Sequence, residues 1–370
     1  MYKSIDTLQK ALSQDVFSYT NDAKKAAGRS LGTIVEIITF YLLREWGLAD
    51  SVSIERGLPE YGNRLITHNV EFTLHPILDN ESVKVSLPAT VSKILNIINS
   101  NWAENLNRKT NALLDSKNIM RNSCLLGENK NKLIIANLER IEGEEAFVNI
   151  SVQHPNAYAM FECKRVGVEE GSKKGPQTIE KAKQGAYVAQ MTSSLQKVRD
   201  DKGNRCGLLY HNGKPIVKPY DDFIEEIING EELLKDFILS VGVVSNHGNW
   251  FTSKNQNKEL KVLAESYDWL LFLTDEGFAT FITDLLLHPA PEYQAARDAF
   301  KRSYKEGKKT NVFTKTKIDY DAHVALCRYF SNNIENIKSW FNVITPEGRS
   351  INDLEDSLYK LKNKDWRKIL

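Results

Sequence analysis

Apolar residues recur at helical spacing in the first part of the chain. Ile5, Leu8, Leu12 and Val16 form one such set, and Leu31, Ile34, Val35, Ile38, Leu42 and Leu43 form a second. The spacing predicts a helix over residues 4–19 and a longer one over residues 30–46, with Gly47 as its stop. The pattern then shortens. Val52 to Glu55 and Asn69 to His75 read as strands on either side of a loop, 57–63, that holds Gly57, Pro59 and Gly62. Residues 89–117 are predicted to be helical and rich in polar side chains. Two strands follow, Lys132 to Glu139 and Ala146 to Gln153, around the charged turn Glu142-Gly143-Glu144-Glu145. His154-Pro155-Asn156 turns the chain into the apolar run Ala157-Tyr158-Ala159-Met160-Phe161. After a Gly- and Lys-bearing loop at 167–175, Pro176 suits the first turn of a helix running to about Arg199. Cys206 to Tyr210 and Ile216 to Lys218 predict a hairpin around Asn212-Gly213, residues 221–236 a helix, and Phe237 to Ser245 a buried strand. Past about Asn257 the pattern reads as helices and loops alone.

This order predicts an α/β fold, with a central mixed β-sheet flanked by helices and a mainly helical C-terminal part. Residues 1–250 are expected to form the core, with an insertion at about 76–145, and residues 251–370 the helical C-terminal region. The chain has 370 residues, 41% hydrophobic and 26% charged, which is the composition of a soluble globular protein. With 49 basic and 48 acidic residues the net charge is +1, so a surface that meets nucleic acid must be basic locally. Cys124, Cys163, Cys206 and Cys327 form no CxxC pair, which argues against a structural zinc site or a disulfide framework and for a reducing cytoplasm. The first residues lack the apolar core of a signal peptide, and the greasy stretch from Ile34 to Leu43 contains Glu36 and is short for a membrane span. A cytoplasmic protein without a membrane segment is expected. No P-loop or dinucleotide fingerprint is present, so no nucleotide cofactor is expected.

The candidate chemistry lies at the end of the apolar run, in Glu162-Cys163-Lys164-Arg165. A strand displays residues i and i+2 on one face, so Glu162 and Lys164 project together while Phe161 and Cys163 turn to the core. Acid-x-Lys triplets also begin at Asp22, Asp115, Glu128, Asp200, Glu259 and Glu306, but these lie in polar or helix-like surroundings. The Glu162 triplet alone ends a strand-like apolar segment.

A helix, hairpin strands, Phe161-Glu162-Cys163-Lys164-Arg165, a basic helix and a further strand together resemble the core of the PD-(D/E)xK nuclease superfamily. Among its members they are most similar to type II restriction endonucleases, over roughly residues 30–245. The resemblance implies a Mg²⁺-dependent endonuclease that cuts double-stranded DNA at a specific sequence. A homodimer is expected, placing one active site on each strand of a palindromic target. Phosphodiester hydrolysis needs an activated water and charge stabilisation, and a hard cation held by carboxylates supplies both. Glu162 would then be a metal ligand, and Lys164 would orient or deprotonate the water. The family usually carries a second acid within a Pro-Asp pair, and here Pro155 is followed by Asn156. Glu71, between Val70 and Phe72, is the preferred replacement as catalytic and metal residue. The Glu142, Glu144 and Glu145 group and Glu180 are the alternatives. Glu36, on a mostly buried helix, would complete the metal site. Arg165, the helical stripe of Gln177, Lys181 and Gln184, and the nearby Lys183 are expected to meet DNA phosphates. Residues 301–317, with seven Lys or Arg against Glu306, could form a further phosphate-contacting loop. The alternatives are a resolvase or repair nuclease of the same fold, or a catalytically inactive DNA-binding module.

Overall fold

The computed structural model describes residues 5–18, 22–166, 183–246, 258–304 and 311–370. Six strands make the central sheet, and they lie side by side in the order in which they occur in the chain. They are β1 (Val52–Arg56), β2 (Val70–Leu74), β3 (Ala159–Val166), β4 (Leu239–Asn246), β5 (Trp269–Leu273) and β6 (Phe341–Thr345). β2 runs antiparallel to both β1 and β3, while β3, β4 and β5 run parallel, and β6 closes the sheet antiparallel to β5. The expected mixed sheet with flanking helices is therefore present.

Alternation along the inner strands divides the core between two faces. Phe161, Cys163, Val241, Val243, Leu271 and Leu273 face one cluster, and Val244, Leu270 and Phe272 face another. Helix α1 (Ala23–Glu45) covers the first face. Cys163 donates to Thr39 Oγ1 of that helix at 3.4 Å, and Phe40 packs on Phe72 with ring centroids 6.2 Å apart. α1 begins earlier than the periodicity predicts and is long and apolar enough to cross a membrane, yet 67% of its most apolar window is buried, as befits a core helix. Helix α2 (Gln184–Thr192) lies over the other face, where Ala186 packs with Tyr267 and Leu270.

Residues 77–153 build a second, five-stranded antiparallel sheet, which carries the expected insertion past residue 145. A smaller sheet joins Ile119–Arg121 of this insertion to Lys317–Asp319. The hairpin of Arg205–His211 and Lys214–Pro219 turns at Asn212-Gly213 with φ of 50° and 76°, as the pair predicts.

Three expectations are corrected. Residues 89–117 are not one helix: the short helices Val91–Leu95 and Ser100–Ala103 are separated where Asn99 accepts from the Asn101 N–H, and short strands follow. Asparagine competes for backbone hydrogen bonds and starts a new helix instead of continuing one. The helix after Lys164 ends at Thr192, not near Arg199, and Gln196–Arg199 pairs as a strand with Arg205–His211. The C-terminal region is also more than helices and loops, since β5 and β6 belong to the central sheet. β5 is buried at every position, and a short apolar run has no period to separate strand from helix. The expected boundary near residue 250 lies outside the described residues.

Candidate active site

One rung of the sheet carries the site. Ile54 pairs with Phe72, Phe72 with Phe161 and Phe161 with Val241, linking four strands in register. The next residues along the same direction are Glu55, Glu71, Glu162 and Gly242. Glu162 still pairs with Gly242, but the β2–β3 ladder stops at Phe72 and Phe161. The β1–β2 register omits Glu55 and Glu71 and resumes at Arg56 and Val70. At this step Glu55 adopts the left-handed backbone, with φ of 55°. A non-glycine residue held there carries strain, and such strain collects at functional sites. Three carboxylates thus stand on neighbouring strands where the ladders part.

Lys164 lies between two of them. Its Nζ is 2.6 Å from Glu162 Oε1 and 3.4 Å from Glu71 Oε1. Glu162 Oε2 also accepts from the Glu71 N–H at 3.4 Å. The Glu162 side chain is only 2% exposed, whereas that of Lys164 is 24% exposed, so the lysine is the member of the pair that a ligand can reach. Burial raises the Glu162 carboxyl above its ordinary range, and the Lys164 charge draws it partly back. Helix α2 sets Gly185 directly against the Glu162 side chain, where no Cβ would fit.

A second lysine reaches the site from the C-terminal region. Lys315 Nζ is 3.2 Å from Glu36 Oε2 and 3.2 Å from Glu55 Oε1, and it also pairs with Glu71 Oε2. Burial pushes the Glu36 carboxyl up, with Lys315 the main opposing influence. Four glutamates and two lysines make up this cluster, so the carboxylates outnumber the ammonium groups by two. Among the described residues no three His, Cys, Asp or Glu side chains stand ready at metal-ligand spacing. Glu36, Glu55 and Glu71 nevertheless converge on one cation, the Lys315 ammonium, and their hard oxygens are the donors that Mg²⁺ prefers. By donor type the set suits such an ion, and the Lys315 ammonium occupies the space between the carboxylates.

The structure thus brings Glu36, Glu71, Glu162 and Lys164 together. Arg165 is engaged within the fold, donating to the Gly28 carbonyl of α1 at 3.1 Å. Lys183 sits over the Tyr187 ring, 4.9 Å from its centroid, at the start of α2. Gln184 is the first residue of α2, and Gln177, Glu180 and Lys181 lie outside the described residues. The Glu142–Glu145 group forms the expected hairpin turn of the second sheet, with Glu142 paired to Arg140 at 2.6 Å and Glu145 to Lys84 at 3.7 Å. Glu55 and Lys315 are the site residues that sequence reasoning missed. The basic run at 301–317 was the one available signal for Lys315, and it pointed toward phosphate, not toward carboxylates. No family model matches the chain, and no curated protein or solved structure matches it either.

Proposed function

We propose that this protein is a Mg²⁺-dependent endonuclease that hydrolyses phosphodiester bonds of double-stranded DNA. Its mode of action would be that of a cytoplasmic, homodimeric type II restriction enzyme cutting at a specific sequence. The observation that carries the reading is the placement of Lys164 between Glu162 and Glu71 where β2 and β3 part. An acid-x-Lys pair beside an acid on the adjacent strand is the arrangement that the resemblance to PD-(D/E)xK nucleases leads one to expect.

Glu71, Glu162 and Glu36 would hold the ion, with Glu55 as a fourth oxygen donor beside them. Bound Mg²⁺ would supply the Lewis acidity that hydrolysis of a phosphodiester requires. Lys164 carries three N–H donors, and two are directed to Glu162 and Glu71. The third can donate to a phosphate oxygen or to the attacking water, which orients the water and stabilises the charge that develops on the phosphorus oxygens. Glu162 would also position the lysine, whose Nζ lies 2.6 Å from its Oε1.

Incubation of plasmid DNA with the full chain tests this reading. Discrete fragments in Mg²⁺, none in EDTA and none from Lys164→Ala are expected. DNA binding without Mg²⁺-dependent cutting would favour the inactive DNA-binding module. Cutting directed by DNA structure instead of sequence would favour a resolvase or repair nuclease. Normal cutting by Glu162→Ala would overturn the site assignment.

A further inference from the structure

We infer that Lys315 is a tethered counter-ion that holds the carboxylate cluster together when no metal is bound, and that a divalent cation must displace its ammonium. The inference rests on the metal-site reading above and concerns how that site is loaded.

The ammonium group has three donors, and the surrounding acceptors are Glu36 on α1, Glu55 on β1 and Glu71 on β2. Lys315 is 5% exposed, so its charge is placed within the cluster and not on a solvated face. The oxygens that contact it, Glu36 Oε2, Glu55 Oε1 and Glu71 Oε2, are the ones a cation between these residues would use. Two cations cannot share that position, because their repulsion in a buried site is several kcal/mol.

The backbone of Lys315 is fixed while its side chain is long. Phe313 and Ile318 are fully buried and bridge to each other, closing a tight loop around the lysine. Asn122 Nδ2 donates to the Lys315 carbonyl at 2.9 Å, and the Asn122 N–H donates to the Thr316 carbonyl at 3.1 Å. Thr314 Oγ1 accepts from the Lys317 N–H at 2.9 Å. Displacement therefore requires a swing of the four-carbon stem, with the loop left in place. A released ammonium would remain beside the site as a positive charge for the DNA backbone.

The test uses the full chain without DNA. Calcium titrated into Lys315→Met and Lys315→Gln, followed by calorimetry, should bind at least about tenfold more tightly than to wild type, because a competing charge is gone. Lys315→Arg should bind like wild type. Without metal, the Met and Gln variants should unfold at lower temperature than wild type, and added Ca²⁺ should restore them. A second measurement needs no variant: amine acylation read by mass spectrometry should spare Lys315 in EDTA and modify it in Ca²⁺. Folded variants that bind Ca²⁺ no more tightly than wild type overturn the inference, as does a Lys315 that stays protected in saturating Ca²⁺ or a wild type that binds none. If the same wild-type preparation still cuts plasmid in Mg²⁺, the nuclease reading stands apart from that failure. Tighter Ca²⁺ binding by the variants with no DNA cleavage would leave the inference standing and sink the nuclease reading.

Discussion

A Cβ placed on Gly185 would stand 2.4 Å from the Cβ of Glu162 and 2.7 Å from its Cγ. Helix α2 thus lies directly on the carboxylate that holds Lys164, and glycine is what permits that approach. Gly185→Ala forces the helix off the sheet or Glu162 out of its place. The expected loss of stability is about 1–3 kcal/mol. Displacing Glu162 by about 1 Å should lower the cleavage rate by about 100-fold. Urea unfolding and initial rates on plasmid DNA measure the two effects, and an alanine variant with both at wild-type level would refute the packing argument.

Burial raises the carboxyls of Glu162 and Glu36 above the usual glutamate value of 4.5, with Lys164 and Lys315 respectively drawing them partly back. Folding therefore favours their protonated forms. That contribution to stability is complete below the ordinary value and is lost as the pH rises through the raised folded values. Glu162→Gln cannot ionise. Its unfolding free energy relative to wild type is expected to rise as the pH climbs above the ordinary glutamate value of 4.5, and to level off once the pH has passed the raised folded value. Unfolding titrations at several pH values give the difference directly, and a flat difference would show that burial does not govern this carboxyl.

The reach of the sequence can be judged residue by residue. Glu162 and Lys164 were legible because strand alternation after an apolar run decides which side chains share a face. Glu71 followed from the same alternation between Val70 and Phe72, and Glu36 from a charge set among Ile34, Val35, Ile37 and Ile38. Glu55 was not legible. Its role depends on the β1–β2 register and on a left-handed φ, and neither is recorded in a local period. Lys315 is one of seven basic residues in its run, and the tight loop between Phe313 and Ile318 selects it. The mixed sheet was readable from the order of its elements. β5 and β6 escaped because short strands late in a helical region carry little pattern of their own.

Asp268 separates structural from chemical carboxylates. It is buried just before β5 and accepts from the Ser240 N–H at 2.8 Å, Ser240 Oγ at 2.8 Å and Tyr220 OH at 2.6 Å, with Lys197 3.3 Å away. Ser240 lies near the start of β4, whereas Lys164 pairs with Val244 toward its end. Asp268→Ala leaves the partly buried Lys197, the Ser240 N–H and hydroxyl, and the Tyr220 hydroxyl without this partner. A loss of about 3–5 kcal/mol is expected. The cleavage rate per folded molecule, measured well below the melting temperature, should not change. A loss of rate in fully folded protein would place Asp268 in the chemistry.

Glu55 sets stability against function at a single position. Its backbone φ of 55° disfavours any residue with a Cβ, and its carboxylate faces Lys315 at 3.2 Å with half of the side chain exposed. A half-exposed ion pair contributes little, about 0–1 kcal/mol. Left-handed backbone costs a non-glycine residue roughly 1–2 kcal/mol. Glu55→Gly should therefore match or exceed the wild type in stability, while Glu55→Gln keeps the strain and should be no more stable than wild type. Both variants remove an anionic donor, so both should weaken Ca²⁺ binding by at least about tenfold. Parallel thermal unfolding and calorimetry separate the two effects. If Glu55→Gly is the less stable of the pair, the left-handed backbone is not a strain that the carboxylate's role sustains. If both bind Ca²⁺ normally, Glu55 lies outside the cation site, and its unusual backbone has another cause.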